Sequence, residues 1–265
     1  MKVESWPTAH VVEGRPQELP DAVVIEEPLE IWIGGAPFTV AMRTPGEDLE
    51  LAAGLLYAEG IVDEPADLVA LEAAGDTENR VLARLRPGLA LDPRRAGRSL
   101  ASSSACGVCG KTEIDAIFAR GFPLLEARRP TVSAALLESL PERMRAAQPV
   151  FAKTGGLHAA ALFAADGELA LLREDVGRHN AVDKLVGACF LAGRLPLRDW
   201  LLVLSGRAGF EIIQKAARAG VPIVAAVGSP SSLSLRTAER VGMTLVGFLR
   251  RGRFNIYTSG DRIAL

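Results

Sequence analysis

Cysteine is scarce in this chain: Cys106, Cys109 and Cys189 are the only three among 265 residues. An odd, small number excludes the disulfide framework that holds small secreted domains together. No apolar run approaches the roughly 20 residues that a transmembrane helix needs. The opening residues, MKVESWPTAH, lack the charged-then-apolar pattern of an export signal. Neither sign of charge dominates, with a formal net charge of -2 and a pI near 6.0. No global basic excess therefore argues for nucleic acid or a membrane surface. These absences make a cytoplasmic protein the expectation, one whose anionic ligands must be met by local clusters.

What is present is a chain with 49% hydrophobic residues, long enough for one large domain or two small ones with a sizeable core. Up to about Pro20 the apolar rhythm is weak, which predicts an irregular arm. Residues 29–33 and 37–43 flank Gly34-Gly35, the pattern of a hairpin. Thr44-Pro45-Gly46 breaks the strand, and the spacing of Leu49, Ala52, Ala53 and Leu56 predicts a helix over 47–59. Residues 81–85 read as a strand. Residues 93–110 read as a loop, followed by a short helix opened by Thr112. A helix is expected over 133–148, divided at Pro141. Residues 159–164 and 168–172 form a hairpin across Asp166-Gly167, and a helix covers 179–190. Strands at 200–204, 221–227 and 244–248 then alternate with helices at 210–219 and 233–241, and 253–258 adds a last strand. That alternation implies a parallel sheet and an α/β fold class. A soft boundary falls near Gln148, giving parts 1–148 and 149–265.

The segment Ser104-Ala105-Cys106-Gly107-Val108-Cys109-Gly110-Lys111 is the most chemical stretch. A C-x-x-C spacing can supply half of a zinc site, form a redox disulfide, or present a nucleophilic thiolate beside a second thiol. Zinc needs two more ligands, to be found among Cys189, His158 and His179. A redox pair usually sits at a strand-to-helix junction, whereas here Arg94, Arg95, Arg98 and three serines precede it. The nucleophile reading fits best, because Lys111, the arginines and a following helix start all favour thiolate over thiol.

In a parallel sheet, ligands bind at the edge where the strands' C-terminal ends meet. Two loops there are built of small residues: Ser205-Gly206-Arg207-Ala208-Gly209 and Gly228-Ser229-Pro230-Ser231-Ser232. Each opens a helix, and a pair of helix N-termini suits phosphate or diphosphate, with Arg207 adding charge-assisted bonds. Ordinary capping is the bland alternative. Phe248-Leu249-Arg250-Arg251-Gly252-Arg253 is a compact basic turn, able to grip phosphate or simply to be solvated. Glu174-Asp175-Val176-Gly177-Arg178-His179-Asn180 and Thr154-Gly155-Gly156-Leu157-His158 each carry a histidine among polar or small residues. Either histidine can orient a ligand, move a proton, or serve only as a satisfied structural group.

Cys106-Gly107-Val108-Cys109-Gly110, Thr154-Gly155-Gly156-Leu157-His158-Ala159-Ala160, Glu174-Asp175-Val176-Gly177-Arg178-His179 and Leu245-Val246-Gly247-Phe248, in this order, resemble the FdhD family of formate dehydrogenase accessory sulfurtransferases. The resemblance implies a cytidine-deaminase-like α/β second half, a smaller β-rich N-terminal part carrying the cysteine loop, and a homodimer. It implies that Cys106 carries a persulfide, with Cys109 as the neighbouring thiol. Sulfur would come from a cysteine desulfurase and pass to a bis-molybdopterin guanine dinucleotide cofactor destined for formate dehydrogenase. Phe248, Leu249, Arg250, Arg251, Gly252 and Arg253 match the family's cofactor-binding segment, and Ser205 and Arg207 would serve its phosphates. A guanine nucleotide should mimic that cofactor.

Two other classes compete. A zinc deaminase needs a catalytic Glu two positions after its His or Cys ligand. Here His158 is followed by Ala159 and Ala160, and the C-x-x-C comes too early. A non-catalytic cofactor-binding chaperone would keep working without the Cys106 thiol.

Overall fold

The structure is a computed structural model, which describes residues 1–75, 79–89, 124–125 and 130–265. The cysteine pair, Lys111, the upstream arginines and serines and the helix expected after Thr112 lie outside the described residues.

The expected irregular arm is instead a long antiparallel hairpin, β1 (Val3–Val12) and β2 (Arg15–Val24). Its turn is Glu13-Gly14, both at positive φ, 51° and 76°. Two positive-φ residues match the twist of a two-residue hairpin loop. Most of its side chains are exposed on both faces, so no alternation of apolar and polar residues marks the strands.

The second hairpin forms as the sequence predicts, from β3 (Glu27–Ile33) and β4 (Ala36–Arg43) across Gly34-Gly35. Leu29, Ile31 and Ile33 alternate inward and are buried. After α1 (Asp48–Ala58) come β5 (Leu68–Ala73) and β6 (Arg80–Leu85), completing a sheet in the order β4-β3-β6-β5. β5 was not legible because it is an edge strand with no buried residue.

Next come β7 (Val132–Ser133) and α2 (Ala134–Ala146). The Ser133 Oγ accepts from the Leu136 N–H at 3.2 Å and so caps the helix. Pro141 does not divide it, although proline removes one helical hydrogen bond. Leu137, Leu140 and Met144, one face of α2, are buried in a core shared with the large sheet, and that packing carries the helix through.

The remainder is one turn, α3 (Phe151–Thr154), then β8 (His158–Phe163), β9 (Leu169–Asp175) and α4 (Arg178–Leu191). The alternation follows: β10 (Leu201–Leu204), α5 (Phe210–Arg218), β11 (Ile223–Ala226), α6 (Ser232–Val241) and β12 (Thr244–Arg250). β13 (Arg253–Thr258) closes the sheet, and β14 (Ile263–Ala264) pairs with β7. The six-stranded order is β13-β12-β11-β10-β8-β9. Strands β10, β11 and β12 are parallel, as the alternation predicts, while β8, β9 and β13 add antiparallel edges.

Both faces of this sheet are covered. Leu202, Leu204, Val224 and Ala226 join one core, and Leu201, Val203, Ile223 and Ala225 join the other. Burial on both sides explains why these strands read as unbroken apolar runs. The first core unites the four-stranded sheet with α1, α4, α5 and α6, drawing on residues from both sides of position 148. Helices α1 and α4 touch backbone to backbone. A Cβ on Gly54 would stand 1.9 Å from the Asp183 carbonyl oxygen, and one on Gly187 would stand 1.8 Å from that of Glu50.

Candidate functional site

The C-terminal ends of β10, β11 and β12 meet the end of α2 and the segment leading into β8. Between them lies a cleft of about 690 Å³. Ser205, Val227, Leu249, Arg250 and Arg251 come from the strand ends. Arg145, Gln148, Phe151, Gly155, Gly156, Leu157 and His158 form the facing wall. This is where a sheet of this topology places its ligands, and the volume falls in the usual range for small-molecule sites.

The facing wall is held by one carboxylate. Glu174 on β9 accepts from the Phe151 N–H at 2.9 Å and the Val150 N–H at 3.2 Å. Those amides have no helical partner because they start a helical turn. Gly155, at φ 65°, then ends that turn, and the chain doubles back into β8. Across the cleft, Ser205 extends the pairing of β8 with β10. Its N–H donates to the Ala159 carbonyl at 3.0 Å, and its Oγ accepts from the Ala159 N–H at 2.8 Å.

The basic turn splits into two groups. Leu249, Arg250 and Arg251 line the cleft, whereas Phe248, Gly252 and Arg253 do not. The cause is a bulge in β12, where Phe248 adopts φ 53° and donates its N–H to the Gly228 carbonyl at 3.1 Å. The extra residue returns Leu249 to the core that Val246 occupies and turns Phe248 away. Gly252, at φ 71°, makes the turn between β12 and β13, and its N–H donates to Glu138 on α2 at 3.1 Å.

The two small-residue loops pack on each other rather than opening side by side. The Ala208 N–H donates to the Ser229 carbonyl at 3.2 Å, and the Gly228 N–H to the Gly206 carbonyl at 3.1 Å. A Cβ on Gly228 would stand 2.9 Å from the Arg207 backbone, so glycine is required by contact. The start of α6 is capped internally, with the Ser231 Oγ accepting from the Ser234 N–H at 3.2 Å. Ordinary capping therefore describes this loop. Arg207 is exposed and outside the cleft lining.

The polar run on β9 and α4 also divides by role. Asp175 is wholly buried and accepts from the Gly177 N–H, the Asn180 amide, the Thr44 N–H and Lys184. It locks the β9–α4 corner to the N-terminal part. Arg178 and His179 belong instead to the side near His158. His158 and Arg178 both pack over Gly206, whose absent Cβ would stand 3.1 Å from the His158 Nδ1. Burial, then the positive charges of Arg178 and Arg207, lower the His158 pKa, so the cleft holds a neutral imidazole at neutral pH. Burial pushes His179 down to about 4, against the pull of Glu211.

Sequence reasoning missed Gln148, Arg145 and Phe151. Gln148 is 3% exposed, and its Nε2 is buried without a hydrogen-bond partner among the described residues. The Arg145 guanidinium lies 4.6 Å over the Phe151 ring, a cation–π contact that braces both. No motif marks these positions, since α2 and α3 bring them to the cleft only through long-range packing. Among the described residues, no group of three or more His, Cys, Asp or Glu is placed to hold a metal ion. Cys189 is buried in α4, where burial raises its thiol pKa. No helix among the described residues is long and apolar enough to cross a membrane.

The cleft thus combines three arginines, one carboxylate at Glu142, an aromatic ring, a neutral imidazole and an unpartnered amide donor. It suits an anionic ligand with a flat polar end. A family model described as the FdhD/NarQ family matches residues 24–264. The chain is 47% identical over 261 residues to the sulfur carrier protein FdhD of Streptomyces coelicolor, covering 96% of this chain and 93% of that protein. It is 45% identical over 259 residues to the sulfur carrier protein FdhD of Mycobacterium tuberculosis, with 92% of each covered. A crystal structure from Desulfotalea psychrophila, described as a formate dehydrogenase accessory protein, superposes with a TM-score of 0.79 at 25% identity, covering 99% of this chain and 100% of that one.

Proposed function

Because this chain belongs to the FdhD/NarQ family, we propose that it is a sulfurtransferase in formate dehydrogenase maturation, carrying sulfur as a persulfide on Cys106. A cysteine desulfurase is the donor and a bis-molybdopterin guanine dinucleotide cofactor is the acceptor. The protein acts as a cytoplasmic homodimer.

The transfer is thiol–disulfide chemistry. The Cys106 thiolate attacks the outer sulfur of the desulfurase persulfide, the new S–S bond forms, and the desulfurase thiolate leaves. The outer sulfur would then leave for the cofactor as sulfide, as a second thiolate attacks the Cys106 sulfur, breaks the S–S bond and closes a disulfide that supplies the two electrons. Cys109, three positions on, is the neighbouring thiol.

The observation that supports cofactor handling is the cleft at the sheet edge. Arg250 and Arg251 reach it from the segment that the family resemblance marks, and Arg145 joins them from the opposite wall. Guanidinium groups bind phosphate through charge-assisted, paired hydrogen bonds. At about 690 Å³ the cleft has room for one nucleotide end of a dinucleotide cofactor. Ser205 lines the same cleft, with its hydroxyl already engaged by the Ala159 N–H. Local clustering of arginine explains how a chain with net charge -2 meets a polyanion.

The test is intact-protein mass spectrometry after incubation with a cysteine desulfurase and cysteine. Wild type should gain a reducible mass of about 32 Da, one sulfur, and Cys106→Ala should not. If wild type gains nothing, or Cys106→Ala still supports formate dehydrogenase maturation, the protein is a non-catalytic cofactor chaperone.

A further inference from the structure

We propose that Gln148 is the residue that recognises the base of the nucleotide end, donating its Nε2–H to the 6-oxo group of a guanine ring. This rests on the reading of the cleft as the cofactor's nucleotide site and adds the determinant of base recognition. The starting point is the buried orphan: Gln148 is 3% exposed, its Nε2 has no partner among the described residues, and the residue lines the cleft. Buried donors are normally paired, and an unpaired one destabilises the fold by the full loss of its hydration. A carbonyl acceptor on a bound ligand removes that penalty.

The backbone that carries this side chain is held in place before any ligand arrives. The Gln148 N–H donates to the Arg145 carbonyl at 3.2 Å, and its own carbonyl accepts from the Ala152 N–H at 3.0 Å. Glu174 fixes the next two amides of the segment, at Val150 and Phe151. Backbone anchored on both sides spends little ordering entropy on binding. The cleft is polarised to match. Its covered part holds Gln148, Met144, Leu157 and Leu249, all buried, whereas Arg145, Arg250 and Arg251 are exposed. An uncharged ring belongs in the covered part, and phosphates belong with the exposed guanidinium groups, where they keep part of their hydration.

The experiment is calorimetric titration of the full chain with GDP, IDP and inorganic pyrophosphate, alongside thermal unfolding of each ligand-free protein. Gln148→Met keeps the volume and removes the orphan donor. It should weaken GDP and IDP about tenfold each, the loss of one good hydrogen bond, and leave pyrophosphate unchanged. Its ligand-free Tm should equal or exceed that of wild type. An unchanged GDP affinity, an equal loss for pyrophosphate, or an IDP affinity indifferent to Gln148 would overturn the assignment. So would a lowered Tm, which marks a structural glutamine. Arg250→Ala with Arg251→Ala separates this from failure of the underlying reading, because that variant should weaken all three ligands. If it does so while Gln148→Met does not touch GDP, the cleft stands and only base recognition falls. If wild type binds neither GDP nor pyrophosphate, the cleft reading itself fails.

Discussion

The six-stranded sheet and the β1–β2 hairpin are made of the same secondary structure and have opposite surroundings. β10 and β11 have every residue buried, between two cores. The hairpin exposes Trp6, Val11, Val12 and Leu19 and buries none of its residues fully. Each strand pair satisfies its backbone by the same ladder, so the ladder does not explain the difference. What differs is the side-chain environment, and with it the cost of a charge or a gap. Charge buried beside the sheet is paired, as in Asp175 of β9 with Lys184 of α4, both wholly buried. The hairpin has a depression of about 430 Å³ of its own, but among the described residues Glu18 is the only charged group lining it. It therefore offers nothing to a polyanion, and the cleft at the sheet edge does.

The sharpest way to break this contrast is to strand a charge beside the sheet. Lys184→Ala removes the cation that bonds Asp175 at 2.8 Å and also donates to the Thr44 carbonyl at 2.8 Å. Losing one partner of a buried pair costs about 3–5 kcal/mol, which urea unfolding would show as a lower midpoint. A loss below about 1 kcal/mol would mean that the amides around Asp175 suffice without the lysine.

A second test uses pH. His179 is held near pKa 4 against its ordinary 6.5, so the folded protein resists its protonation. Its neutral form supports the fold fully above pH 6.5. That support declines as pH falls from 6.5 toward 4, because the unfolded chain takes up the proton first, by a total on the order of 3 kcal/mol. Stability measured at pH 7 and pH 4.5 should therefore drop more for wild type than for His179→Gln, which cannot titrate. Asp183, raised by burial to about 6, acts in the opposite sense but is common to both proteins. Its partner Lys215 has its pKa raised: burial alone would lower it, and Asp183 at 2.7 Å with Glu211 outweighs that. Parallel pH curves for the two proteins would remove His179 from the account.

The smallest effect belongs to the hairpin. Trp6→Ser with Val11→Ser should change the unfolding free energy by no more than about 0.5 kcal/mol each, the usual range for exposed positions. A loss several times larger in the protein as it exists in solution would show that the hairpin is covered there, and the comparison would then need redrawing.

The legible parts of the fold are those where burial writes a pattern into the chain. Alternation marked β3, a 3.6-residue stripe marked α1, and unbroken apolar runs marked β10 to β12. The hairpin was missed because exposure on both faces leaves no pattern, and β5 because an edge strand buries nothing. Pro141 misled in the other direction, since its local preference to break α2 was overruled by Leu137, Leu140 and Met144 packing beneath it. The site divides the same way. Arg250 and Arg251 stood out as a basic cluster, but Phe248 and Arg253 in the same cluster do not line the cleft.

By itself the sequence determined the family, the α/β class and the basic turn, because each is carried by residue identities at short spacing. Only the tertiary structure decided which side of that turn meets the cleft, through the bulge at Phe248, and that Gln148, Arg145 and Phe151 stand opposite it. A bulge and an unpartnered buried amide are properties of contacts between segments distant in the chain, so no local pattern records them.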